Sequence, residues 1–436
     1  MKLFRLISVS AAALLAGAAL ARAETITVAT VNNDDMIIMQ KLSPEWEKAT
    51  GNKVNWVVLE ENTLRQRVTT DIGTKGGQFD IVTIGAYETP IWGKHGWLTK
   101  LDDLGDDYDY GDLLAPVKNG LTVDGSLYAV PFYAESSFTL YRKDLFQQAG
   151  LTMPEKPTWD QIAQFADKLS DKSKDQYGIC LRGKPGWGEN MGLVSTMANT
   201  FGGRWFNMKW EPQLTSEPWE KAVSFYVDLL NRDGPAGASS NGFNENQALF
   251  ASGHCAIWVD ATSAAGRLYN KATSKVGDVL AFAQAPTKVT PDGAAWFWAW
   301  SLAIPATSQK TATAKSFVKW ATSKEYVKKV AENSGWVAAP PGTRKSTYEN
   351  PEYQKAAPFA SMVLQAIMSV DPSKPTKDPV PYTGIQFVAI PEFQGIGTNV
   401  GQDVAAALAN QKTVSDALSG AQSTTERAMK QAGYVK

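Results

Sequence analysis

Thr25-Ile-Thr-Val-Ala-Thr-Val31 opens the stretch that decides the fold. It is a β-rich run, and residues 36–50 after it place Ile38, Leu42, Trp46 and Ala49 at helical spacing before Gly51 stops the pattern. Val54 to Leu59 reads as the next strand, Leu64 to Ile72 as a helix, and Asp80 to Ile84 as a short buried strand. This β-α-β-α-β alternation predicts a parallel sheet covered by helices. Ligands of such sheets sit beyond the carboxyl ends of the strands. Those ends are polar here: Thr30 to Asp34, Glu60 to Asn62, and Gly85 to Glu88.

Working outward, residues 129–141 form a long extended run carrying Glu135, Ser136 and Ser137 between apolar stretches, as a strand crossing between domains would. A second strand–helix set follows it. Then come Trp296, Trp298 and Trp300, which the two-residue period of a strand puts on one face, with Phe297 and Ala299 on the other. A row of indoles suits a groove that stacks flat apolar ligand faces, because each buried N–H wants a partner. Helices are predicted over 310–321 and 324–333, and terminal helices over 399–409 and 413–432, with Thr413 or Ser415 as a cap. Two α/β lobes joined by more than one crossing strand make a clam-shell.

The amino-terminal residues are read as a secretory signal. Lys2 and Arg5 precede an apolar stretch from Leu6 to Leu20, and Ala21-Arg22-Ala23 is a small-x-small cleavage site. The expectation is a soluble protein exported to a Gram-negative periplasm and cleaved after Ala23. Without Lys2, Arg5 and Arg22 the 43 basic residues become 40 against 44 acidic ones, a net charge of −4. That balance offers no footprint for nucleic acid or an anionic membrane. A chain of 436 residues with 15 Trp but 2 His and 2 Cys speaks for recognition by stacking and hydrogen bonding, without metal or cofactor. In an oxidising compartment Cys180 and Cys255 are either one disulfide or two buried thiols.

Several short pieces, in order, resemble the family-1 extracellular solute-binding proteins of ABC importers. They are Phe79-Asp-Ile-Val82, Tyr128-Ala-Val-Pro131, Leu140-Tyr-Arg-Lys-Asp-Leu-Phe146, Pro157-Thr-Trp-Asp160, Ala248-Leu-Phe-Ala-Ser-Gly253, Ala314-Lys-Ser-Phe-Val-Lys-Trp320 and Thr413-Val-Ser-Asp-Ala-Leu418. The likeness is greatest to the sorbitol/mannitol (polyol) branch. It implies a type II periplasmic binding-protein fold, with two α/β lobes, a multi-strand hinge and a ligand cleft between the lobes. It also implies delivery to an ABC permease by a monomer. The expected division is 24–134 and 299–345 in the first lobe, and 135–298 and 346–436 in the second.

Polyols offer hydroxyls, best held by charged or bidentate partners, and C–H patches suited to aromatic faces. Glu88 beside Tyr87, after the third strand, is a ligand candidate on position and chemistry, as is Glu135, whose alternative is an ion pair. Asn33, Asp34 and Glu61 lie at strand ends, where helix capping is the rival role. By family position, Trp187 and Asn190 in the loop after residue 181, Asp260 at a strand end, and Phe393 or Gln394 are ligand contacts. Arg182 either bridges two hydroxyls or pairs with Glu189. Trp298 leads the tryptophan row and Trp296 follows, while Trp300 is assigned to hinge packing and Trp336 is a further stacking candidate. On this reading Asp260→Ala or Trp298→Ala weakens binding and leaves the fold intact. A mono- or disaccharide or a polyamine fits the same pattern of residues. A secreted carbohydrate-active enzyme using Glu88 and Glu135 is the rival class, but no hydrolase motif accompanies them.

Overall fold

The computed structural model describes residues 23–436, so all of the expected signal segment except Ala23 lies outside the described residues. The first strands are β1 (Thr25–Val31), β2 (Lys53–Leu59) and β3 (Ile81–Ile84), separated by helices α1 (Asp34–Thr50) and α2 (Glu61–Thr74). β1 pairs in parallel with both β2 and β3, as the alternation predicts. Asn33 caps α1 by accepting from the Met36 N–H, and Gly51 ends it in the left-handed conformation. A small hairpin of β4 (Thr122–Val123) and β5 (Ser126–Leu127) precedes the long extended run.

That run is two strands, β6 (Val130–Glu135) and β7 (Ser137–Arg142), parted at Ser136. β6 belongs to the first sheet, whose order is β2-β1-β3-β11-β6, with β11 at Trp298–Ala303. β7 belongs to a second sheet together with β8 (Tyr177–Cys180), β9 (Cys255–Ala261) and β10 (Leu280–Gln284), in the order β10-β7-β9-β8. The chain therefore passes between sheets at Ser136, and again between β10 and β11. The two crossings are tied together. Ser136 Oγ donates to the Trp296 carbonyl at 2.7 Å, and the Trp296 N–H donates to Ser137 Oγ at 3.2 Å. Helices Phe393–Leu408 and Val414–Gln431 pack on each other and on the helix Glu217–Asp233 of the second lobe. Cys180 and Cys255 form a disulfide between β8 and β9.

After β3, Gly85 to Tyr87 turn into a short helix, α3 (Glu88–Lys94). The helix expected from 399 begins at Phe393, because Phe393, Ile396, Val400 and Val404 carry its buried face through an interval rich in glycine. No helix among the described residues is long and apolar enough to cross a membrane.

Candidate functional site

A cavity of about 110 Å³ lies where the carboxyl ends of β1 and β2 face the loop after β8, with the two crossings behind it. Strand register builds its back wall. Antiparallel pairing sets Trp298 opposite Glu135 and Trp300 opposite Tyr133. Residues two apart share a face of a strand, so all four side chains project together, and all four line the cavity. Trp296, just before β11, completes the row. Trp298 stands edge-on to Trp300 and to Trp187, with centroids 5.4 and 5.6 Å apart. Trp298 fits because Gly85 follows β3, where a Cβ would lie 2.1 Å from the indole ring. Trp300 is thus a wall residue as well as a member of the hinge strand.

Two guanidinium groups stand against this aromatic wall. Arg65, one helical turn after Glu61 in α2, lies 4.0 Å from the Trp187 ring centroid and 4.8 Å from those of Trp298 and Trp300. Its Nε and Nη2 donate to Glu61 Oε1 at 3.0 and 2.8 Å, and its Nη1 donates to Glu88 Oε1 at 2.6 Å. Burial works against its charge, and the two carboxylates more than offset that, so the proton is held more tightly than usual. Arg182 follows β8. It forks onto Asp260 through Nε at 3.0 Å and Nη2 at 2.6 Å, and its Nη1 donates to the Gly188 carbonyl at 2.9 Å.

Glu135 is buried at the end of β6, and its Oε2 accepts from Ser263 Oγ at 2.5 Å. Burial pushes its carboxyl up to about 7, against the opposing pull of Ser263 and Arg182. Asn33 does two jobs: it caps α1, and its Nδ2 donates to the Tyr133 hydroxyl at 2.7 Å while lining the cavity. Gln386 grips the backbone of Phe297, donating to its carbonyl at 2.6 Å and accepting from its N–H at 3.4 Å.

The mouth is held by contacts between the sides. Lys184 pairs with Glu60 at 2.7 Å, Asn62 Nδ2 donates to the Pro185 carbonyl at 3.1 Å, and Asn244 Nδ2 donates to the Asn32 carbonyl at 3.2 Å. The structure is therefore a closed form.

Of the residues singled out in the sequence, Asn33, Glu61, Glu135, Arg182, Trp187, Trp296 and Trp298 line the cavity. The others are committed elsewhere. Asp34 pairs with Arg267 at 2.6 Å, at the rim. Glu88 is buried behind Arg65 and accepts from the Gly85 N–H at 2.9 Å. Tyr87 is packed against Trp187, Phe387 and Phe393, and its hydroxyl donates to the Ile390 carbonyl at 2.9 Å. Phe393 is fully buried in that cluster, and Gln394 accepts from Thr69 Oγ1 at 2.9 Å. Asn190 donates to the Gly401 carbonyl at 2.8 Å, anchoring the helix Phe393–Leu408. Asp260 has no exposed surface: it receives Arg182 and the Trp258 indole N–H and stays out of the cavity. Trp336 is remote, donating to Glu352 Oε2 at 2.5 Å.

Arg65, Tyr133, Lys184 and Gln386 line the cavity and were not singled out from the sequence. For Arg65 a signal existed, since Glu61 and Arg65 stand at i, i+4 on a helix that starts from a strand's carboxyl end. For Tyr133, the two-residue step back from Glu135 was available. Among the described residues no group of His, Cys, Asp and Glu is placed to hold a metal ion.

A two-lobed α/β chain closed over a small cavity walled by indoles and forked guanidiniums is a type II solute-binding protein. The model of the bacterial extracellular solute-binding protein family matches residues 31–328, and the chain belongs to that family. It is a binding protein, not an enzyme. It is 57% identical to a mannitol-binding protein of Pseudomonas aeruginosa over 98% of each chain. A crystal structure of an ABC-transporter solute-binding protein from Agrobacterium vitis S4 with bound D-mannitol superposes with a TM-score of 0.94. That protein is 61% identical, over 95% of this chain and 100% of its own. A ribitol complex of a solute-binding protein from Agrobacterium radiobacter K84 matches at a TM-score of 0.82 and 26% identity, over 92% of this chain and 98% of its own.

Proposed function

We propose that the protein captures D-mannitol, or a hexitol of similar shape such as sorbitol, and presents it to the permease of an ABC importer. The observation that carries this reading is the small cavity with an aromatic back wall and polar front, in a chain 61% identical to a protein crystallised with D-mannitol. A linear hexitol has hydroxyls along its whole length and C–H groups between them. Trp187, Trp296, Trp298 and Trp300 offer faces and edges to the C–H groups. Arg65, Arg182, Glu61, Glu135, Asn33 and Tyr133 offer hydrogen bonds, those to charged groups contributing about 1.5–3 kcal/mol each.

The hinge at Ser136 and Trp296 lets the lobes part, the solute docks on one face, and contacts from the other face favour closure. The segment 1–23 acts as the export signal, cleaved after Ala23, so the mature protein works in the periplasm as a monomer. Isothermal titration of that mature protein tests the reading. Saturable one-to-one binding of D-mannitol or sorbitol is expected. Binding of maltose or spermidine in place of either hexitol, or turnover of a sugar, overturns it.

A further inference from the structure

The carboxyl groups around the cavity outnumber the cations that face them, and they come from both sides of the cleft. Lys184 is taken by Glu60. Arg65 is shared between Glu61 and Glu88, and Arg182 is occupied by Asp260. Glu135 has Ser263 as its hydrogen-bond donor and no cation in contact. Glu189, in the loop before the helix Asn190–Thr200, is buried, with Arg182 Nη1 at 3.7 Å and the Phe243 N–H at 3.3 Å. Its carboxylate fills the space where Gly242 would carry a Cβ, beside Glu245 at the amino end of the helix Phe243–Ala251. From the opposite lobe, Glu61 reaches the backbone of the adjacent residue: a Cβ on Gly188 would lie 2.2 Å from Glu61 Oε1. Closing the cleft thus brings Glu61 on α2 up to Glu189 and Glu135, with no cation left over.

We infer that capture of the solute is coupled to proton uptake, Glu135 and Glu189 taking up a proton as the lobes close and bring the Glu61 carboxylate into the same cavity. This inference rests on the proposed binding of a polyol in this cavity. Like charges forced together out of water favour the neutral form of one partner, and the proton then belongs to the group as a whole. The other neighbours agree in sign. For Glu189, burial comes first and Glu61 second in raising the carboxyl, with Asp260 adding and Arg182 and Lys184 opposing. For Glu135, burial again leads, Ser263 and Arg182 oppose, and Asp260 and Glu61 add. Asp35, half-buried on α1, is raised as well, chiefly by desolvation and then by Asp34 and Glu135. A protonated Glu135 or Glu189 also becomes a donor, able to hydrogen-bond a solute oxygen that an ionised carboxylate cannot donate to.

The direction of the pH effect follows. A carboxyl held higher in the closed form than in the open, solvated form favours closure fully below its open-form value. That contribution is lost as pH rises through the closed-form value, about 7 for Glu135. Affinity therefore falls on going from about pH 6 to about pH 8.5, by about tenfold for one such group.

The decisive experiment is titration of the mature protein with D-mannitol at pH 7 in phosphate, imidazole and Tris, whose ionisation heats differ. A net uptake of about half a proton or more per mannitol bound is expected at this pH, where a carboxyl raised to about 7 is half protonated, with Glu135→Gln and Glu189→Gln each lowering it and flattening the pH profile. Mannitol binding whose heat is independent of buffer overturns the coupling and leaves the binding function standing. Absence of binding by any polyol at any pH overturns both. The wild-type buffer series decides the matter even if a variant fails to fold.

Discussion

Asp260→Ala is expected to lower the unfolding free energy by about 3–5 kcal/mol, as breaking a buried ion pair does. Asp260 is wholly buried and accepts both arms of Arg182 as well as the Trp258 indole N–H. Without it, Arg182 keeps the Gly188 carbonyl and a distant Glu189, and an inadequately paired guanidinium stays buried. Mannitol affinity falls too, because Arg182 loses the orientation that points it at the cavity. Asp260→Asn keeps the shape and part of the hydrogen bonding, so its stability should fall between the two. Urea unfolding followed at the tryptophans measures this. Wild-type stability of Asp260→Ala would contradict the anchoring role. The sequence alone suggested the opposite balance, a ligand contact whose loss spares the fold. That expectation follows family position near the end of β9, while the side chain turns inward to meet Arg182.

Arg65→Ala is expected to weaken mannitol binding at least a hundredfold, equivalent to about 2.8 kcal/mol. Three indoles and two carboxylates converge on this guanidinium. Its removal leaves Glu88 buried without a cation and takes the support from Trp187 and Trp298 where they meet the solute. Arg65→Lys should fold better yet bind poorly, since an ammonium is a point charge that cannot fork between Glu61 and Glu88 while lying flat on an indole. Titration calorimetry together with a thermal melt separates the two effects. An Arg65→Lys protein with wild-type affinity would remove the fork from the account.

Where a residue's chemistry followed local periodicity, the sequence was enough to place it. β1, α1, β2, α2 and β3 are all present where the alternation put them, and the two-residue step gathered the three tryptophans on one wall. The crossing at residues 129–141 was visible too, although Ser136 splits it into strands of different sheets. Side chains whose partners lie far along the chain were not legible. Nothing near Tyr87 announces Ile390, and nothing near Asn190 announces Gly401. Phe393 and Gln394 are ligand candidates by family position alone; the helix that begins at Phe393 turns Phe393 into the core. Arg65 was hidden differently. A charge in mid-helix reads as solvent-facing until the partner lobe, with Trp187, closes over it.

The central claim is that a polyol is held by shutting two lobes over it. Small-angle X-ray scattering of the mature protein, with and without saturating D-mannitol, tests this most directly. The account predicts a smaller radius of gyration with mannitol, and a profile that then matches the closed structure described above. Unchanged scattering at a mannitol concentration that calorimetry shows to be saturating would contradict it.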